Sequence, residues 1–290
     1  SGKYYWKVIS YLNNMKIDSS IINSFNYVDF FSLPNLTMVF QSDTGVSISG
    51  GDTLVKWTNL MDTSKFFENN AKSELPKLRI SNNGINSFPV IRFDGINDLL
   101  LYNHSYTFAE MFSIFNWNDT TLTFNKNYAG LFTGQQYTSS YLFGTQLGNT
   151  SMLSSQFFTF NINSVLGIDF LPLSNLKLVH GFRSAPFTLS NMQIGRNRTI
   201  PTYWKGDIAA LISFSQPLND SLRNIVNKYL CQKYSNTLSL GPDIQVTSGF
   251  CDTLVQVDTN FTSYRWSNGD TTSASLLTPG KTYQLTVINN

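Results

Sequence analysis

Charge is scarce in this sequence. Only 13% of its 290 residues are charged, about half the usual share of a soluble domain. The 20 basic and 18 acidic residues leave a net charge of +2. The bases are scattered, and Arg196 with Arg198 is their densest group. A phosphate backbone has nothing to lie along, which excludes nucleic-acid binding. The only histidines are His104 and His180, and neither stands in a nucleophile-elbow context. Both read as structural or surface residues, and a zinc site is equally unsupported. Cys231 and Cys251 are the only cysteines, too few for a disulfide scaffold. Their spacing suits one loop-closing disulfide, worth on the order of 3 kcal/mol; two buried thiols are the alternative. No apolar run reaches the roughly 18 residues that span a membrane. The opening "SGKYYWKV" has no initiator Met and no signal-peptide pattern, so the chain reads as an excised piece; if the protein is exported, its signal lies upstream.

Uncharged polar and aromatic residues take the place of charge. There are 31 Asn, 23 Phe and 14 Tyr. Short apolar stretches separated by Asn, Ser, Thr and Gly predict an all-β protein. Val8, Leu12 and Met15 fall at helical spacing, which predicts a helix over about residues 4–15 within a lead segment, 1–32. From Leu33 the pattern is β: "LTMVFQ", "TLVKWTNL", "FPVIRF" and a run of further segments to residue 200. "GDIAALISF" (Gly206–Phe214) is apolar on both faces and predicts a covered central strand. Leu222, Ile225, Val226, Tyr229 and Leu230 then form one helical stripe, capped by Asn219 or Asp220 and ending near Tyr234. "NTLSLGPD" marks a boundary at 236/237. Beyond it, Trp266 and Tyr264 alternate, and Asn268–Gly269 predicts a mirror-turn hairpin.

Four motifs carry a family resemblance: "QSDTGVSISGGDTLVKWTNL", "FPVIRFDGINDLLL", "WKGDIAALISFSQPLND" and "LRNIVNKYLCQKY". Residues 33–236 resemble the laminin-G-like class of the concanavalin A-like lectin/glucanase superfamily, as found in Bacteroidota surface proteins. Phe40 and Ala210 stand where that family often has Trp and an acid. Residues 237–290 resemble the small Ig-like or PKD-like repeats of proteins exported by the type IX secretion system. The resemblance implies a concanavalin A-like β-sandwich (jelly roll) with one C-terminal helix, then a small Ig-like sandwich. It also implies an extracellular or cell-surface address, with neighbouring domains in a longer polypeptide.

Candidate chemistry follows from what such a fold carries. The superfamily's glucanases place paired carboxylates along one strand, and none of the three Glu stands in that arrangement, so the chain is expected not to be an enzyme. An Asp94–Asp98 pair flanks a glycine turn instead. Calcium is the expected metal if there is one, at Asp94, Asn97 and Asp98, since hard cations take oxygen ligands. Asp and Asn at such corners also serve simply as turn formers. Trp117, Tyr137 and Tyr141, with Asn103 and His104, offer rings and amides in apparent loops and predict a shallow sugar platform. The expected function is a non-catalytic binding or adhesion module for a glycan or other surface polymer. The alternatives are a structural spacer of a long adhesin and a glycoside hydrolase of unfamiliar motif.

Overall fold

The computed structural model describes residues 2–6, 9–12, 15–19, 23–27, 29–80, 88–118, 129–135, 141–145, 151–157, 159–168, 170, 175–197, 202–234, 252–257, 261, 263–278 and 281–288. These residues are almost entirely β-structure with one α-helix, as the segment pattern predicted. The lead segment departs from expectation. It forms four short strands, β1 (Gly2–Trp6), β2 (Ile9–Leu12), β3 (Met15–Ser19) and β4 (Asn23–Tyr27), with β1 paired to β4 and β2 to β3, all antiparallel. The three apolar residues at helical spacing were a weaker signal than the aromatic and β-branched residues around them, such as Tyr4, Tyr5, Trp6 and Ile9, which favour extended backbone.

The main sheet contains β5 (Leu36–Gln41), β6 (Val46–Ser49), β7 (Thr53–Thr58), β8 (Phe66–Glu68), β9 (Lys77–Ile80), β10 (Pro89–Asp94) and β11 (Leu100–Phe115). It continues through β12 (Gly130–Gly134), β13 (Tyr141–Thr145), β14 (Met152–Leu153), β15 (Thr159–Ile162), β16 (Val165–Leu166), β17 (Lys177–Ile194) and β18 (Lys205–Phe214). The strand order is β14-β13-β12-β17-β11-β8-β7-β9-β10-β18-β5. Because β18 also pairs with β11, the path from β11 through β8, β7, β9 and β10 returns on itself through β18. Residues 206–214 of β18 are buried throughout, as a strand covered on both faces requires.

The two faces of this sheet carry two apolar clusters. One holds Phe40, Trp57, Phe67, Tyr102, Phe108, Phe115, Trp204 and Leu211. The other holds Val39, Val90, Phe112, Ile212 and Phe214 beneath helix α1 (Asp220–Tyr234), which contributes Val226, Leu230 and Tyr234. Burying each of the two aliphatic side chains is worth about 1.5–3 kcal/mol. The helix starts where its cap permits: Asn219 Oδ1 accepts from Leu222 N at 2.9 Å.

Strand β5 lies at one end of the strand order, and a side chain covers its outer edge. Asn59 is fully buried. Its Oδ1 accepts from Val39 N (2.9 Å) and Met61 N (3.1 Å), and its Nδ2 donates to Thr37 O (3.1 Å). One amide thus supplies the donor and acceptor that a further strand would bring to an open edge.

Near the C-terminus, β19 (Thr253–Gln256) pairs with β21 (Ala274–Leu277), and β20 (Ser263–Trp266) with β22 (Leu285–Ile288). The Asn268–Gly269 turn forms, but it does not join two paired strands. Gly269 has positive φ, +99°, and Asn268 does not, whereas both mirror turns of a tight hairpin need it at the first central residue. Trp266 is buried and its Nε1 donates to Thr272 O at 2.9 Å.

Candidate functional site

The "FPVIRFDGIND" corner opens onto a cleft. Along β10, Ile91 and Phe93 enter one apolar cluster and Val90 the other, while Arg92 is exposed. Gly95 makes the turn at φ +78°, and a Cβ there would stand 2.6 Å from Lys205 Cβ. The acids serve the turn. Asp94 Oδ1 accepts from the backbone N–H of Ile96 (2.7 Å) and Asn97 (3.2 Å), and Asp98 Oδ2 accepts from Asp94 N (2.7 Å). Asn97 Nδ2 donates to Ser73 O at 2.9 Å. Asp98 is buried, and that burial, with the Asp94 carboxylate adding to it, pushes its carboxyl up to about 6 against the pull of the Asp94 N–H and Lys77.

The adjoining cleft has a volume of about 390 Å³ and is lined by Asp94 and Asp98 together with Lys72, Lys77, Arg79 and Arg92. Strand pairing sets Lys77 directly opposite Arg92. Arg92 grips the buried Asp207 with two hydrogen bonds, Nε to Oδ1 at 2.7 Å and Nη2 to Oδ2 at 2.9 Å. Lys77 Nζ reaches Asp52 Oδ1 at 3.3 Å, and Arg79 pairs with the same carboxylate.

This donor set does not fit a calcium ion, which takes six to eight oxygens. An Asp94 oxygen and an Asp98 oxygen are engaged by backbone N–H groups, the Asn97 amide donates to a carbonyl, and cations share the cleft. Among the described residues no three His, Cys, Asp or Glu stand where they could share a metal.

Of the expected sugar platform, Trp117 and His104 are the members whose side chains fall among the described residues. Trp117 is 4% exposed and stacks on Trp204 with ring centroids 5.8 Å apart, so it belongs to the core. Residues 102–106 are not a loop but part of β11, which pairs with β17 through a register shift between Tyr102 and Ser105. His104 is half-buried on that strand, edge-on to Tyr102 at 5.3 Å and to Phe66 at 6.4 Å. Asn103 and Tyr141 lie on β11 and β13 with side chains outside the described residues, and Tyr137 lies outside them altogether. Cys231 is exposed on α1, while Cys251 is outside the described residues.

Sequence reasoning missed a buried polar cluster. Glu110, fully buried, takes Leu218 N (2.6 Å) and Arg223 Nη2 (2.7 Å) on Oε1, and Arg223 Nε (3.1 Å) and His180 Nε2 (2.8 Å) on Oε2. His180 lies flat against Phe112, centroids 3.9 Å apart. Burial pushes His180 down more than Glu110 pulls it up, and the Arg223 charge adds to the fall. Burial alone would raise Glu110, but the hydrogen bonds from His180, Arg223 and Leu218 outweigh it and hold the carboxyl below its usual range. The cluster joins β11, β17 and α1. The signal for it was a charged residue inside the apolar run "FAEMFSIF".

No family model matches the chain, and no curated protein does. Among solved structures, it is similar to Trypanosoma rangeli sialidase, at 12% identity and a TM-score of 0.41, over 68% of this chain and 33% of that one. The complex of that sialidase with sialic acid gives the same figures. The complex with the inhibitor DANA aligns at 10% identity and a TM-score of 0.37, over 66% and 32%. The chain spans about a third of the length of these structures. One expectation is corrected here. The chain was expected not to be an enzyme, yet solved structures similar to it include sialidases, and that exclusion is withdrawn. At this identity and TM-score the likeness assigns no reaction, substrate or residue role.

Proposed function

We propose that this chain is a carbohydrate-binding β-protein whose glycan sits in the cleft beside the Asp94–Asp98 corner. The supporting observation is the cleft itself: about 390 Å³, lined by lysine, arginine, aspartate, serine and threonine side chains with one leucine. That volume lies in the range of ligand sites, about 300–1,000 Å³, and such a lining offers many donors and acceptors to sugar hydroxyls. The reading includes a concanavalin A-like sandwich over 33–236 and an Ig-like one over 237–290. The latter draws support from the two strand pairs β19–β21 and β20–β22 around buried Trp266. The extracellular address and the neighbouring domains rest on the motif resemblance alone. A glycan array probed with the 290-residue chain tests the reading. Binding that is lost when Thr53→Trp fills the cleft is expected; binding to no saccharide at millimolar concentration removes it.

One observation favours a second reading, a glycoside hydrolase. Asp98 is held near pH 6 beside a second carboxylate, the arrangement in which one acid stays protonated to serve a leaving group. Release of reducing ends from a polysaccharide, abolished in Asp98→Asn, is the expected sign. Release that is undiminished in that variant takes Asp98 out of the chemistry.

A further inference from the structure

The cleft brings two cations side by side. Lys77 and Arg92 face each other across β9 and β10, and like charges directly opposite in an antiparallel pair are destabilising. Each is tied to a carboxylate on another element: Lys77 to Asp52 before β7, and Arg92 to Asp207 on β18. Among the described residues no single carboxylate forms an ion pair with both. Unused donors also line the cleft. Among the described residues, Arg92 Nη1 and the Nε and Nη2 of Arg79 have no hydrogen-bond partner, and Lys72 makes no ion pair. Guanidinium donors in a fixed fork match the geometry of carboxylate and sulfate oxygens.

We propose that the cleft takes a saccharide bearing an oxyanion, a carboxylate or a sulfate, seated between Lys77 and Arg92 and met by the free donors of Arg79 and by Lys72. This rests on the carbohydrate reading and narrows it to acidic sugars. The oxyanion relieves the like-charge pair, while the corner carboxylates Asp94 and Asp98 accept from hydroxyls of the same ring.

The test is titration calorimetry of the full chain with matched oligosaccharides: neutral, uronate-containing and sulfated, at 50 and 300 mM NaCl. At least tenfold tighter binding of one acidic form over the neutral one is expected, weakening at the higher salt. The uronate and sulfate arms decide which oxyanion is preferred. Lys72→Gln with Arg79→Gln, both at partly exposed positions, is expected to erase that preference with the melting temperature unchanged. Lys228→Gln with Lys281→Gln, two exposed changes that remove the same charge elsewhere in the chain, is expected to leave the preference intact. Equal binding of neutral and acidic forms overturns this inference but leaves the carbohydrate reading standing. No binding to any of them overturns both. Inorganic sulfate or single-stranded DNA binding as tightly as the acidic sugar also overturns it, since the site would then read charge and not a saccharide.

Discussion

Replacing Arg223 with Met is expected to reverse how acid acts on this fold. In the native chain Arg223 supplies two of the four hydrogen bonds to buried Glu110, at 2.7 and 3.1 Å. Removing one partner of a buried pair costs about 3–5 kcal/mol. The Arg223 side chain is 25% exposed, which places the loss at the lower end, about 3 kcal/mol near pH 8. The pH dependence carries more information. In the native protein His180 is held below its unfolded value near 6.5, so below that pH the unfolded chain binds the extra proton and acid destabilises. Without Arg223, His180 is the nearest cation available to Glu110, and its folded value should rise above 6.5. Stability from the His180–Glu110 pair is then fully present below pH 6.5 and lost as pH rises through the folded value. The gap between variant and native stability should therefore narrow by about 1 kcal/mol or more between pH 8 and pH 6, since a tenfold change in the imidazole's proton affinity is worth about 1.4 kcal/mol. Urea denaturation followed by tryptophan fluorescence at four pH values measures this. Taking the difference between the two proteins cancels distant groups such as Asp98. A gap that stays constant or widens on acidification would refute the expectation that His180 takes up a proton beside Glu110 once Arg223 is gone.

Two further outcomes are expected. Asn59→Ala strips the outer edge of β5 of its amide and leaves Val39 N buried and Thr37 O half-buried without the partner each now has, a loss of about 2–3 kcal/mol in urea denaturation; a loss under about 1 kcal/mol would mean that water replaces the amide. Asp98→Asn keeps an acceptor for Asp94 N but removes a carboxyl held near 6, above its unfolded value. Ionising that group costs the folded state as pH rises through 4 to 6, so the variant should gain on the order of 2 kcal/mol at pH 8 and nothing at pH 4. Equal effects at both pH values would show that the burial of Asp98 carries no electrostatic cost.

What was legible in the sequence was what periodicity encodes. The covered strand Gly206–Phe214, the stripe of α1 and the alternation of Ile91 and Phe93 against Arg92 are local patterns set by burial, and they appear where the sequence placed them. The corner acids also read correctly as turn residues, because their hydrogen bonds run to backbone within four residues. What was not legible depends on distant partners. Glu110 meets residues 70 and 113 positions away, and the pairing of Lys77 with Arg92 depends on the register of β9 against β10. Trp117 looked like a surface ring because polar residues flank it, but Trp204 on the far side of the chain draws it into the core.

The placement of β18 governs how the chain matures during synthesis. Strand β5 pairs with β18, and Leu36 lies opposite Phe214. Almost 180 residues separate these partners, so at ribosomal speeds of about 5–20 residues per second β5 emerges roughly ten to forty seconds before the strand that completes it. Throughout that interval the edge of β5 that meets β18 has no native strand to pair with. Asn59 emerges only about twenty residues after Val39, so one edge of β5 can be closed long before the other. The nascent chain thus carries its own local guard against mispairing, built into the same amide that finishes the mature sheet.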